Sequence, residues 1–115
     1  MSSILIANRR DPLFGLSREQ TLDYLRRSLA GRVHAAYVYG SFARNEMHPD
    51  SDIDCILAVE TELAFPVRGQ LFFDLRDRLP SLEILVYTPM ELADLTGDPS
   101  PGFWASVTRE LQRIL

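Results

Sequence analysis

Residues 39–59 read YGSFARNEMHPDSDIDCILAV, a polar loop flanked by two apolar segments. The first segment, Val33–Tyr39, is rich in β-branched and aromatic residues and stops at Gly40, which is typical of a strand. The second segment, Ile53–Val59, is an apolar run of strand length. The loop between them contains a Pro-Asp pair, which favours a turn. The stretch therefore predicts two strands joined by a turn or a short helix.

A helix over residues 18–30 is predicted ahead of the first strand. Ser17 and Gln20 have the spacing of a capping box, in which each side chain bonds to the other residue's backbone N–H. Apolar residues recur at helical spacing after this box, namely Leu22, Leu25 and Leu29. Gly31 then stands where such a helix is expected to end.

Three further elements are predicted after the second strand. Apolar residues at helical spacing predict a helix over about 66–79, and the apolar run Leu82–Tyr87 predicts a third strand. Thr88 and Glu91 form a second capping box, with a proline at the first helical position, and open a short helix. A final helix over Phe103–Leu115 is predicted from an apolar stripe. The stripe consists of Trp104, Val107, Leu111 and Ile114.

Together these elements predict an α/β (α+β) domain with a small mixed sheet of three or four strands flanked by helices. About twenty residues containing a helix separate the second and third strands, which is the length of a crossover between parallel strands. The shorter loop between the first two strands is compatible with antiparallel neighbours. In that arrangement the end of the first strand and the beginnings of the other two meet at one edge of the sheet.

The composition predicts a soluble chain that forms one domain over residues 1–115. Hydrophobic residues make up 46% and charged residues 24%, and no run approaches the ~18 apolar residues of a membrane span. The net charge of −4 argues against a broad nucleic-acid surface. A lone cysteine, Cys55, and a start unlike a secretory signal predict a cytoplasmic location. Residues 1–15 are expected to be a partly flexible N-terminal segment.

Three acidic residues are expected at the shared edge of the sheet. Asp52 and Asp54 are two residues apart where the second strand begins, so their side chains point to the same face. Two carboxylates about 4 Å apart repel by roughly 4 kcal/mol at an effective dielectric near 20. Protonation of one carboxylate relieves this repulsion, and a divalent cation relieves it better. With Glu83 at the start of the third strand as another oxygen ligand, the sequence predicts a Mg²⁺ or Mn²⁺ site.

The Gly40-Ser41 turn is expected to bind phosphate at the same edge. Glycine at a strand end lets a ligand approach the backbone, and Ser41 can cap a short helix over Phe42–Glu46. The N–H groups at such a helix start bind anions. Arg44 lies one turn beyond, where its guanidinium can reach the same phosphates, although it can equally be a surface charge paired with a nearby acid. Phosphate donors beside metal ligands outline a triphosphate site.

The segment at residues 39–59 resembles the active-site region of the minimal nucleotidyltransferases in the DNA polymerase β superfamily. Their pattern is a Gly-Ser turn, an Ala-Arg-Gly helix, Ser-Asp-x-Asp on a strand and a third acid on a later strand. The matching residues here are Gly40, Ser41, Ala43, Arg44, Ser51, Asp52 and Asp54, with Glu83 in LEILVYTPMEL as the third acid. The resemblance covers about residues 20–115 and implies a polymerase β palm-like fold.

The resemblance also implies a function. Members of the family bind ATP or another NTP with Mg²⁺ and transfer the nucleoside monophosphate to an acceptor hydroxyl. Some members adenylylate a HEPN-domain toxin and act as its antitoxin, which makes such a toxin a candidate acceptor in trans. The resemblance implies catalytic and metal-binding roles for Asp52, Asp54 and Glu83, and nucleotide contacts from Gly40, Ser41, Arg44 and Ser51.

Two departures from the family pattern leave two functions open. Asn45 replaces the usual glycine after Arg44, but asparagine tolerates a left-handed backbone, so the turn is expected to persist. Glu83 stands where aspartate is commoner, and a displacement of about 1 Å can cost around 10²-fold in rate. The chain is thus either an active transferase or a nucleotide-binding module that neutralises a partner by binding. Part of the apolar surface of the C-terminal helix is a candidate contact for such a partner or for a second copy in a homo-oligomer.

Overall fold

The computed structural model describes residues 11–115. The expectation of a flexible segment over residues 1–15 falls mainly on residues 1–10, which lie outside the described residues. Within the described part, residues 11–15 form a turn in which the Asp11 carboxylate accepts hydrogen bonds from the N–H groups of Leu13 and Gly15, at 2.9 and 2.8 Å. This turn leads the chain into its first long helix.

A four-stranded mixed sheet forms the centre of the molecule, with the strand order β3-β2-β1-β4. The strands are β1 (Ala35–Tyr39), β2 (Ile53–Ala58), β3 (Leu82–Tyr87) and β4 (Gln112–Arg113). β1 runs antiparallel to β2, and β2 runs parallel to β3. The predicted fold class and the predicted directions of the first three strands are therefore confirmed.

Helices cover both faces of this sheet. They are α1 (Arg18–Leu29), α2 (Gly40–Ala43), α3 (Phe65–Arg68), a 3₁₀ helix (Gly69–Asp77), α4 (Pro89–Gly97) and α5 (Phe103–Glu110). The predicted capping boxes at the starts of α1 and α4 are both present. Gly31 follows α1 with a φ of +78°, as expected for a glycine just past a helix end. Among residues 11–115, every helix is too short or too polar to cross a membrane.

The single helix predicted over residues 66–79 is wrong. The chain instead forms the four-residue α3 and then the 3₁₀ helix, with non-helical angles at Phe72 (φ −124°, ψ 16°). At this kink the Phe72 ring is buried in the core, and the guanidinium of Arg32 lies 5.1 Å from the ring centroid. Packing of one aromatic side chain thus overrides the local helical spacing.

The final helix predicted over Phe103–Leu115 is too long. α5 ends at Glu110, and the chain then extends into β4, which pairs antiparallel with Tyr37 and Val38 of β1. An unpaired β1 edge would expose backbone N–H and C=O groups, and β4 covers part of it. Ile114 is buried on the opposite side of the sheet from the α5 stripe to which its spacing assigned it.

The two faces of the sheet bury two separate apolar clusters. One cluster lies under α1 and the 3₁₀ helix, and its strand residues are Ala36, Val38, Ile53, Cys55, Leu57, Leu82 and Val86. The other lies under α4 and α5, and its strand residues are Ala35, Tyr37, Tyr39, Ile56, Ala58, Leu85 and Tyr87. Because side chains alternate along a strand, Asp54 and Glu83 lie on the α4–α5 face.

Candidate functional site

The acidic residues meet at one edge of the sheet, as the predicted topology requires. Asp54 is paired with Tyr39 of β1 on one side and with Glu83 of β3 on the other. Residues paired across neighbouring strands point to the same face, so the Asp54 and Glu83 carboxylates project together. Asp52 lies just before β2, two residues from Asp54. The structure therefore brings the three predicted acids to the edge where β1 ends and β2 and β3 begin.

Asp54 is the most electrostatically strained of these acids. It is partly buried, whereas Asp52 and Glu83 are exposed. Burial, followed by repulsion from the Asp52 and Glu83 carboxylates, raises the pKa of Asp54 to about 6, against the counteracting effect of Arg44. The Asp52 and Glu83 carboxylates are thus close enough to repel that of Asp54, and a cation at this edge would relieve the repulsion.

Gly40 is packed directly against the Asp54 carboxylate. Its φ of +72° lies in the left-handed region, which favours glycine. A Cβ atom added to Gly40 would lie only 2.6 Å from Oδ2 of Asp54. No larger residue fits this position without moving the carboxylate. The predicted Gly-Ser turn and the predicted acid Asp54 are therefore in direct contact.

The Gly-Ser loop, defined here as residues 40–46, differs in one respect from the prediction. Ser41 does not cap a helix, because α2 already begins at Gly40 and its N-cap residue is Tyr39, without a side-chain cap bond. Ser41 instead lies inside the first turn, where its carbonyl accepts a hydrogen bond from the N–H of Glu46 at 2.9 Å. The first backbone N–H groups of a helix have no partner within the helix, so those of this turn can bond to other groups.

Two other residues of the predicted site shape the loop. Asn45 has a φ of +57°, so the left-handed turn that the family makes with glycine is kept, as expected. Ser51 is buried, and its Oγ accepts a hydrogen bond from the N–H of His48 at 3.0 Å while its own N–H donates to the His48 carbonyl at 2.9 Å. These two hydrogen bonds close a turn over residues 48–51, directly before Asp52.

Arg44 is tied to two carboxylates in this structure. Its Nε donates to Oε1 of Glu46 at 2.7 Å, and its Nη1 donates to Oε1 and Oε2 of Glu110 at 2.8 and 3.1 Å. The side chain is 47% exposed, so its guanidinium remains reachable from solvent. The predicted pairing of Arg44 with a nearby acid is confirmed, and its contact with phosphate stays a prediction.

Sequence reasoning missed three residues that hold the Gly-Ser loop in place. Glu110 accepts a hydrogen bond from the Gly40 N–H at 3.2 Å. Arg18 donates to the carbonyls of Phe42 and Ala43 and stacks on the Phe42 ring at 4.5 Å, and Gln112 donates to the Ala43 carbonyl at 3.0 Å. They come from α1, α5 and β4, so no local pattern around the loop identifies them.

The donors at this edge fit a hard divalent cation in their chemistry. Asp52, Asp54 and Glu83 offer carboxylate oxygens, which Mg²⁺ and Mn²⁺ prefer. Across residues 11–115, however, no group of three His, Cys, Asp or Glu side chains is already arranged to hold a metal ion. A cation at this edge would therefore need the exposed Asp52 and Glu83 side chains to turn toward Asp54.

Comparison with known proteins agrees with this geometry. A family model described as polymerase beta, nucleotidyltransferase matches residues 19–114, which is most of the chain. A spectinomycin 9-adenylyltransferase of Campylobacter jejuni is 33% identical over 64 residues. Those residues make up 56% of this chain and 25% of the relative, so the match spans about a quarter of that protein's length.

A solved structure shares the fold. It is described as the crystal structure of a toxin-antitoxin with AMP-PNP, and it aligns with a TM-score of 0.54 over 87% of this chain and 73% of that one. The sequence identity is 18%, so the likeness is one of fold.

Proposed function

The chain belongs to the polymerase beta nucleotidyltransferase family, and from this premise we propose that it transfers a nucleoside monophosphate from an NTP to a hydroxyl group of a separate acceptor. The reaction proposed is metal-dependent, with Mg²⁺ or Mn²⁺ as the cofactor. ATP is the proposed donor, because the relative with 33% identity carries the name of an adenylyltransferase.

One observation carries the proposal: Gly40 leaves no room for a side chain between the Gly-Ser loop and the Asp54 carboxylate. Transfer from a bound NTP requires one triphosphate to contact both the hydrogen-bond donors of the Gly-Ser loop and the acidic metal ligands. The close packing of Gly40 on Asp54, with Glu83 paired beside it, supports a site in which one triphosphate contacts both.

Each residue is assigned a role by its position. The Gly40 and Ser41 backbone binds the phosphate tail, with Arg44 as a further cationic contact and Ser51 fixing the entry to Asp52. Asp52 and Asp54 would hold the divalent ion, which when bound would neutralise phosphate charge and activate the attacking oxygen. Glu83 completes this ligand set or accepts the proton of the acceptor hydroxyl as a general base.

The proposed acceptor is a protein partner, specifically a HEPN-domain toxin that the chain modifies as its antitoxin. Support comes from the structural neighbour, whose description names a toxin-antitoxin and an ATP analogue. The net charge of −4 disfavours nucleic acid as the acceptor.

The test is to incubate the chain with Mg²⁺, each of the four labelled NTPs in turn and the candidate toxin, and to measure the intact mass of the toxin. The expected result is addition of one nucleoside monophosphate, with ATP the best donor. The Asp52→Asn/Asp54→Asn double variant should still bind the toxin but leave its mass unchanged. If the wild-type chain transfers label from none of the NTPs, the enzymatic proposal fails.

A second candidate function is neutralisation of a toxin by binding alone. It is favoured by the longer Glu83 at the position where the family commonly has aspartate and by the two carboxylates that occupy Arg44. The same double variant separates the two functions in a toxicity assay. Full protection by the variant would select binding, whereas loss of protection with toxin binding intact would select catalysis.

A further inference from the structure

Glu110, the last residue of α5, forms hydrogen bonds with two groups to which the proposed function assigns phosphate binding. Its Oε1 accepts hydrogen bonds from the Gly40 N–H at 3.2 Å and from Nη1 of Arg44 at 2.8 Å. Carboxylate and phosphate oxygens compete for the same donors, because both are anionic acceptors that a guanidinium binds in the same way. The backbone donor and the arginine of the Gly-Ser loop are therefore both satisfied before a nucleotide arrives.

The charge of Glu110 is unfavourable for the site that surrounds it. Glu110 binds the N–H of Gly40, the residue packed against the Asp54 carboxylate, so it adds a further carboxylate to an edge that already holds three acids. A glutamine could accept the two hydrogen bonds at Oε1, but it could not accept the third, at Oε2, from Nη1 of Arg44 at 3.1 Å. Glu110 therefore offers the Arg44 guanidinium two anionic oxygens, as a phosphate group would.

The surroundings of Glu110 allow it to leave. Its side chain is 30% exposed, and it lies at the end of α5, where the chain turns from helix into β4. The loop keeps other supports when Glu110 departs, because the Ala43 carbonyl still accepts from Gln112 and Arg18 still holds the Phe42 carbonyl. Departure of the carboxylate would thus free the donors of the loop without unfolding it.

We propose that Glu110 is a placeholder for the triphosphate: its carboxylate binds the Gly40 N–H and the Arg44 guanidinium in the nucleotide-free protein and is displaced by a phosphate group when the NTP binds. This inference rests on the proposed function for the identity of the incoming anion. It makes Glu110 a positioning residue that sets the affinity for phosphate, and it predicts that the negative charge of Glu110 weakens nucleotide binding.

The test compares Glu110→Gln with the matched control Glu46→Gln. Each variant removes one negative charge that pairs with Arg44, but only Glu110 also binds the Gly40 N–H. Calorimetric titration with tripolyphosphate and with α,β-methylene ATP, each with Mg²⁺, should show about fivefold tighter binding for Glu110→Gln, the size expected when a partly exposed ion pair no longer has to be broken. Glu46→Gln should change the affinity by less than about twofold, and Glu110→Gln should lower the KM for the NTP.

Three results would overturn the placeholder. The first is binding of both probes by Glu110→Gln no tighter than by Glu46→Gln. The second is weaker binding together with a lower melting temperature, which would make Glu110 a structural support only. The third is absence of binding by wild type and variant alike, which would also count against the proposed function. The first result, with normal binding by the wild type, would overturn the placeholder alone.

Discussion

On β2, the residues that face α1 and the residues that face α5 have different chemistry, although they alternate along one strand. Ile53, Cys55 and Leu57 face α1 and the 3₁₀ helix and are almost completely buried. On the other face, Ile56 and Ala58 are buried under α4 and α5, but the strand begins with Asp54. The first face is apolar along its whole length, whereas the second changes from apolar to acidic at the edge that holds the Gly-Ser loop.

This difference shows how a chain of this size can combine a stable core with a cluster of acids. The face under α1 holds the larger of the two apolar clusters. The beginning of the other face can therefore carry charge with little loss of apolar burial. We expect substitutions on the α1 face to lower stability, and substitutions at the acidic end of the other face to lower activity.

The largest effect is expected from Asp54→Asn, which keeps the shape of the side chain but removes the charge that a cation needs. Nucleotidyl transfer should fall by about 10³-fold, a loss of several kcal/mol of transition-state stabilisation. The measurement is the rate of toxin labelling under saturating NTP and Mg²⁺. Glu62→Gln, at an exposed acid away from the site, serves as the control and should retain the wild-type rate. Equal rates for the two variants would remove Asp54 from the mechanism.

On the opposite face, Leu57→Ala should lower the free energy of unfolding by about 3 kcal/mol, because it opens a cavity in a fully buried position. Urea denaturation followed by circular dichroism measures this loss. At a temperature where the variant is still folded, its rate of transfer per folded molecule should stay near that of the wild type. A folded Leu57→Ala protein as inactive as Asp54→Asn would mean that the two faces are not functionally separate.

Gly40→Ala should lower activity by around 10²-fold, because the new Cβ would lie 2.6 Å from Oδ2 of Asp54 and force the carboxylate aside. Gly31→Ala is a matched control. Gly31 has a similar left-handed φ of +78°, but a Cβ there meets nothing within 4 Å. Both variants should lose about 1–2 kcal/mol of stability from backbone strain, and only Gly40→Ala should lose activity. The prediction is contradicted if the two alanine variants transfer nucleotide equally well.

The smallest effect concerns pH. Because the pKa of Asp54 is raised from 3.8 to about 6, the folded state binds the proton more tightly than the unfolded state does. Stability from this group is therefore lost as the pH rises from about 4 to 6, and the loss then persists at higher pH. Allowing for solvent around a half-buried group, the penalty is about 1 kcal/mol.

Asp54→Asn should remove this penalty, so in EDTA at pH 8 the variant should be more stable than the wild type. Glu91 should show the opposite pH dependence of stability within the same protein. Its hydrogen bonds to Arg68 lower its pKa to about 2, so the stability it contributes is lost as the pH falls below 4.5. Chemical denaturation between pH 2 and 8 measures both effects. If Asp54→Asn is less stable than the wild type at pH 8, the strain assigned to Asp54 is wrong.

The sequence predicted correctly those parts of the fold that depend on residues close together along the chain. Each capping box specifies its helix start with a few adjacent residues, as Ser17 and Thr88 do. Strands β1, β2 and β3 are short apolar runs bounded by polar residues, and the lengths of the two connections between them are compatible with the observed directions. The meeting of Asp54 and Glu83 then follows from topology alone, because paired strands bring their ends together.

What the sequence could not predict depends on contacts between distant segments. Ile114 continues the spacing of the α5 stripe, yet pairing with β1 pulls it out of the helix and across the sheet. The Phe72 kink has the same origin in tertiary packing. Glu110 is 70 residues from Gly40 along the chain, so its contact with the Gly-Ser loop has no local signal.

β4 offers a direct way to observe the Gly-Ser loop in solution. The N–H of Ile114 donates to the Ala36 carbonyl at 2.8 Å, while the neighbouring Gln112 holds the carbonyl at the end of α2. A two-residue edge strand opens with a small local free energy, so its amide protons exchange quickly compared with those of β2. Deuterium uptake over residues 112–115 thus becomes a gauge of how firmly the loop is held, one that needs neither a toxin nor a completed reaction.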